Sequence, residues 1–187
     1  LDSGLSPGTV LRGTRRVGKT ILVRQVMEKM LGDGVAAKRI LYVPFDEIAS
    51  LGELRDPILT ISRWYESRVL ERTLNESARS EGPAFLLFDE VQNLDAWAPQ
   101  IKHLVDNNTV RVLLTGSSSL RIEAGRDSLA GRITTYDLGP LLLREIAELA
   151  CGGQAQPHWE DNGAERIADP AFWAKGIAKA QEERDLR

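Results

Sequence analysis

Short apolar, β-prone runs alternate along this chain with stretches whose apolar residues recur every three or four positions. Thr9-Val10-Leu11-Arg12 is the first such run. After it, Leu22, Val26, Met27 and Met30 fall at helical spacing, predicting a helix to about Leu31 that Gly32-Asp33-Gly34 stops. Residues 39–45 predict a second strand, whose Pro44 marks a sheet edge or a strand end. Leu54, Ile58, Ile61, Tyr65 and Val69 share one helical face, predicting a long helix over roughly 54–79. Ala84-Phe85-Leu86-Leu87-Phe88 is continuously apolar after Gly82-Pro83, the signature of a strand buried on both faces. Trp97, Ile101, Leu104 and Val105 predict the next helix, with Asp95 as its candidate cap. Residues 110–115 predict a fourth strand and 133–138 a fifth. Leu142, Leu143, Ile146 and Leu149 predict a helix started by Pro140, and Asp169-Pro170 starts a last one through about Glu183.

The junction between the first strand and the first helix reads Gly13-Thr14-Arg15-Arg16-Val17-Gly18-Lys19-Thr20. It fits the phosphate-binding pattern G-x-x-x-x-G-K-[ST] at every fixed position, in the strand-then-helix context the pattern requires. The glycines let the backbone approach a triphosphate closely. The loop N–H groups and the following helix N-terminus favour anions. Lys19 would reach the β- and γ-phosphates, and the Thr20 hydroxyl would ligate Mg²⁺.

The buried third run ends in Asp89-Glu90. In P-loop enzymes an acid in this place helps to hold Mg²⁺. This predicts Asp89 in the metal shell and Glu90 as general base on the attacking water. The fourth run ends in Thr115-Gly116-Ser117, where a hydroxyl could bond the γ-phosphate or that water; Thr115 is the first choice and Ser117 the second. Asp46 could line the site or be a turn acid, the turn being favoured.

Net charge is −3, so composition gives no support for nucleic-acid binding, although Arg12, Arg15, Arg16, Lys19 and Arg24 cluster near the loop and would attract phosphate. A single cysteine excludes an internal disulfide and suits a reducing cytoplasm. The longest apolar runs are too short for a membrane helix. The absent initiator methionine and the early first strand suggest part of a longer protein.

Taken in order, the phosphate loop, Leu-Phe-Asp-Glu-Val-Gln-Asn, Leu-Leu-Thr-Gly-Ser-Ser-Ser and Leu-Ala-Gly-Arg resemble a group of prokaryotic AAA+-type ATPases that often carry a C-terminal domain of unknown function. The resemblance covers roughly 8–148. It implies an α/β three-layer P-loop NTPase fold, a parallel five-stranded sheet with helices on both faces. It also implies ATP and Mg²⁺ binding, ATP hydrolysis, Lys19 and Thr20 as Walker A residues, Asp89 and Glu90 as Walker B, and Thr115 at the sensor position. Residues 1–150 would form this domain. Residues 151–187 would form a linker and a C-terminal helical appendage that could begin a second domain. In such ATPases an arginine, given in cis or by a neighbouring copy, stabilises transferring-phosphate charge. Arg132 is the candidate, with a structural ion pair as its alternative and Arg126 in reserve; a homo-oligomer and an unidentified macromolecular target fit this picture. A nucleotide-gated switch with negligible hydrolysis is the competing function, and a small-molecule kinase ranks behind both.

Overall fold

A computed structural model describes residues 6–47, 54–116, 129–151 and 170–185. The chain divides into two compact units, Leu1–Pro140 and Leu141–Arg187.

The first unit is a five-stranded sheet. Its strands are β1 (Gly8–Gly13), β2 (Ile40–Pro44), β3 (Ala84–Asp89), β4 (Val110–Gly116) and β5 (Ile133–Leu138). They pair in the order β2-β3-β4-β1-β5, and every pairing is parallel. β2 is therefore an edge strand, as Pro44 predicts. All five strands point their C-terminal ends the same way, which gathers the loops after them at one end of the sheet.

The apolar runs are continuous because both faces are covered. On one face Val10, Leu86, Phe88, Val112 and Leu114 pack with α2 (Pro57–Tyr65), α3 (Leu74–Glu81) and α4 (Trp97–Asn107). The alternate residues Leu11, Leu87 and Leu113 pack on the other face with Val23 and Met30 of α1 (Lys19–Gly32). The period-2 alternation of strand side chains sends neighbouring residues to opposite cores.

Two local expectations are corrected. The helix predicted over 54–79 is broken. α2 passes into a π-turn at Glu66–Leu70, then Glu71 adopts a left-handed φ of 54°. The wider turn shifts the phase of the apolar face, so Leu70 is buried while Val69 is exposed; Leu54, ahead of α2 and outside the helix, is exposed as well. α3 restarts with a capping box. Thr73 Oγ1 accepts from the Glu76 N–H at 3.2 Å, and Glu76 accepts from the Thr73 N–H at 2.8 Å. The second correction concerns α4, whose cap position is taken by Ala96 (φ 50°) and not by Asp95. The buried stripe of α4 is as expected, with Trp97, Ile101 and Leu104 in the core and Val105 against it. Gln100, also on α4, accepts from the Ile58 N–H at 3.0 Å and so satisfies a donor at the start of α2.

Tyr65 anchors α2. It is buried, and its hydroxyl donates to the Lys38 carbonyl. Burial pushes its pKa up to about 12, with nearby Arg39 opposing. An unfolded tyrosine titrates near pH 10, so between those values the native state holds a proton that the unfolded chain has lost. The associated stability is complete below about pH 10 and lost as pH rises through about 12. We expect Tyr65→Phe to lower stability by about 1 kcal/mol at neutral pH through the lost hydrogen bond. The gap to wild type should shrink in denaturant titrations from pH 9.5 to 11.5; a constant gap would contradict the assignment.

The second unit contains α5 (Leu143–Cys151) and α6 (Pro170–Asp185). Leu142, Ile146, Leu149, Trp173 and Ile177 are exposed, and Phe172 and Trp173 meet edge to face at 5.4 Å. Among the described residues no helix is long and apolar enough to cross a membrane.

Candidate nucleotide site

The site grows from the C-terminal end of β1, an inner strand of the parallel sheet. Gly13 pairs in register with Leu138 of β5, and a Cβ on it would stand 2.3 Å from the Leu138 carbonyl oxygen. Glycine is thus required here by the neighbouring strand, whatever a ligand demands. The loop then turns with Arg16 at φ 65° and Gly18 at φ 101°. Gly18 is the N-cap of α1, with no side-chain capping bond, and the first turn carries no acid. The first N–H groups of an α-helix lack intrahelical partners and point outward, so this end is available to an anion.

Lys19 is 4% exposed. Its ammonium donates to the carbonyls of Gly13 (3.2 Å) and Thr14 (3.1 Å) and lies 3.7 Å from Glu90 Oε1. The Thr20 hydroxyl donates to Asp89 Oδ2 at 2.9 Å, across 69 residues of sequence. Asp89 is 2% exposed at the end of β3. It accepts from two further hydroxyls, Tyr42 on Oδ2 at 3.0 Å and Thr115 on Oδ1. The Thr115 hydroxyl also accepts from the Glu90 N–H at 3.0 Å. Glu90 has a left-handed φ of 57° that carries its side chain out of the strand direction, and Gln92 donates to its Oε2. A cavity of about 210 Å³ is bounded by Arg16, Gly18, Lys19, Thr20, Ile21 and Glu90.

Six hydroxyl or charged side chains thus meet: Lys19, Thr20, Tyr42, Asp89, Glu90 and Thr115. Tyr42 was not anticipated. Its signal was the one polar group in Ile40-Leu41-Tyr42-Val43, near the strand end where ligands gather. Burial, and then the charge and hydrogen bond of Asp89, push the Tyr42 pKa well above the usual tyrosine range. Gln92, also unanticipated, is buried beside Glu90.

A divalent cation fits these residues. Among the described residues the buried Asp89 carboxylate accepts from three hydroxyls, Thr20, Tyr42 and Thr115. Among the described residues no cluster of three or more His, Cys, Asp or Glu could hold a metal by itself. Mg²⁺ suits such a sparse donor set, because it is bound through one or two protein groups, waters and substrate phosphates.

Arg132 is placed elsewhere. It immediately precedes β5, and its carbonyl accepts from Gly8, the first residue of β1. The phosphate loop lies at the far end of β1, about 16 Å away at about 3.3 Å per residue. The Arg132 guanidinium pairs with Asp106 of α4 through Nε (2.5 Å) and Nη2 (3.0 Å), holding the Asp106 carboxyl below its usual range. Within one chain the guanidinium is thus engaged by Asp106, at the end of the sheet away from the phosphate loop. The Arg12–Asp137 pair and the 4.0 Å Arg24–Glu47 contact partly neutralise the basic cluster, while Thr14, Arg15 and Arg16 are exposed on the loop and Val17 is half-buried. Asp46 lies on an exposed turn after β2. Ser117 and Arg126 lie outside the described residues. A larger cavity of about 250 Å³ lies toward the other end of the strands, lined by Ser6, Pro7, Phe85, Arg111 and Thr134 among others. None of the predicted chemistry lies there, so size does not mark the site.

A parallel sheet of order β2-β3-β4-β1-β5 with the phosphate loop after β1 and paired acids after β3 defines a P-loop NTPase of the α/β class. Residues 6–147 match the model of the AAA domain family, and the chain belongs to that family. It is 23% identical over 140 residues to an uncharacterized protein of Haemophilus influenzae, covering 73% of this chain and 32% of the relative. It is 28% identical over 142 residues to the uncharacterized protein MJ1637 of Methanocaldococcus jannaschii, covering 75% and 27%. The aligned region thus spans about a third or less of the length of these relatives. Among solved structures the fold is similar to the Walker-type ATPase PABY2304 of Pyrococcus abyssi, with a TM-score of 0.53, 16% identity, and 97% of this chain and 70% of that chain covered.

Proposed function

We propose that the chain binds Mg·ATP at the loop 13–20 and hydrolyses it to ADP and phosphate, with a conformational change coupled to turnover. The observation that carries this reading is the convergence of Lys19, Thr20, Asp89, Glu90 and Thr115 on one end of the sheet, beside the cavity at the start of α1. Membership of the AAA domain family supports it.

The geometry supports the following roles. The loop backbone and the N-terminus of α1 bind the phosphates. Lys19 exchanges its two loop carbonyls for phosphate oxygens. Thr20 and Asp89 hold Mg²⁺, which neutralises phosphate charge when bound. Glu90 takes the proton of the attacking water through its carboxylate. Thr115 ties the two acids together, since one hydroxyl serves Asp89 and the Glu90 backbone. In this reading Thr115 sets the distance between metal acid and base. Arg132 pairs with Asp106 within its own chain, so a role on phosphate would be in trans, at a neighbouring copy's site. Residues 1–150 act as the ATPase domain and 151–187 as a linker and C-terminal helical appendage; the location is the cytoplasm.

The test is phosphate release by the wild-type chain at saturating Mg·ATP. We expect multiple turnovers that stop on chelation of Mg²⁺. Tight nucleotide binding with no turnover would favour the switch function instead.

A further inference from the structure

We propose that Tyr42 is a positioning residue for the metal-binding carboxylate, its hydroxyl fixing the orientation of Asp89 from the neighbouring edge strand. The inference rests on the reading of Thr20 and Asp89 as the Mg²⁺ residues.

A carboxylate offers about four acceptor sites, two per oxygen. On Asp89, Oδ2 accepts from both Thr20 (2.9 Å) and Tyr42 (3.0 Å), and Oδ1 accepts from Thr115. Both sites of Oδ2 are therefore filled, and the one left open is on Oδ1. Three donors from three different elements clamp the carboxylate plane: α1 supplies Thr20, β2 supplies Tyr42 and β4 supplies Thr115. Of the three, Thr20 also lines the cavity and Thr115 also accepts from the Glu90 N–H, whereas the Tyr42 hydroxyl serves the acid.

The backbone makes the Tyr42 contact a fixed one. Tyr42 pairs in register with Leu87, two residues before Asp89 on the adjacent strand. Its ring packs against the cluster of Leu11, Val23, Met30, Leu87 and Leu113. The bond matters more to the acid than to the phenol. Tyr42 is half-buried, whereas Asp89 is 2% exposed and has little access to water as a replacement donor. Partners that orient a metal-binding side chain commonly change metal affinity by about 10- to 100-fold when removed.

Tyr42→Phe keeps the packed ring and removes only the donor. ATP binding to wild type and Tyr42→Phe is measured by calorimetry over a series of Mg²⁺ concentrations and in excess EDTA, with the melting temperature of each. The expected result is an increase of about tenfold in the Mg²⁺ needed for half-maximal enhancement of ATP binding, with ATP affinity in EDTA within about twofold of wild type. An unchanged Mg²⁺ requirement would overturn the proposal. So would equal losses in Mg²⁺ and in EDTA, which would mark Tyr42 as a general structural residue. A wild type whose ATP affinity ignores Mg²⁺ would overturn the metal reading itself, and that outcome is visible before the variant is examined.

Discussion

Glu90→Gln is expected to lower phosphate release from Mg·ATP by about 10²- to 10⁴-fold, the usual contribution of a positioned general base. ATP affinity should stay within a few-fold of wild type. The substitution keeps side-chain length and asks nothing new of the backbone, which holds residue 90 at φ 57°. A glutamine can still accept from Gln92 through its carbonyl oxygen, and its N–H still meets Thr115. What it cannot do is take a proton from water. Losing one negative charge 3.7 Å from Lys19 also leaves the loop more positive, so binding should hold or tighten slightly. Single-turnover phosphate release and equilibrium ATP binding measured on the same preparation separate the two effects. Unchanged turnover at intact affinity would remove Glu90 from the role of base.

Lys19→Ala should fail one step earlier, at binding. The Lys19 ammonium is almost inaccessible to solvent and rests on two loop carbonyls, a position from which it can move to phosphate oxygens. A charge-assisted hydrogen bond is worth about 1.5–3 kcal/mol, so ATP affinity should fall by about 10- to 100-fold for one such bond, with turnover falling at least as far. Calorimetry with ATP and Mg²⁺ checks this. Wild-type affinity in Lys19→Ala would show that the loop is not where the phosphates bind. The contrast between the variants is diagnostic: Glu90→Gln retains the nucleotide, Lys19→Ala does not.

The phosphate loop was legible because its chemistry is contiguous. Eight successive residues carry the phosphate-binding pattern, and their context, a β-prone run before and helical spacing after, is local too. The strands were legible because each apolar run feeds two cores at once, as Leu86-Leu87-Phe88 does. The break between α2 and α3 was harder to see, since the apolar spacing runs on across it. Its local signal was Thr73-Leu74-Asn75-Glu76, a capping box inside a stretch read as one helix. The cap at Ala96 had no such signal, because a left-handed alanine is chosen by the fold around it and not by its own preference.

By itself the sequence determined which residues could do phosphate chemistry and in what order the motifs come, because those properties reside in side-chain types and short spacings. Tertiary structure decided which of them meet. The order β2-β3-β4-β1-β5 sets β4 between β1 and β3, so Thr115 reaches Asp89 and the Glu90 backbone beside the loop after β1. The same order brings Tyr42 to Asp89 from 47 residues away. It also sends Arg132 to the opposite end, because β5 runs parallel to β1 and its first residue stands beside Gly8, not beside the loop. Strand order and direction are long-range properties of the sheet, fixed by how two apolar faces are covered at once, and no window along the chain contains them.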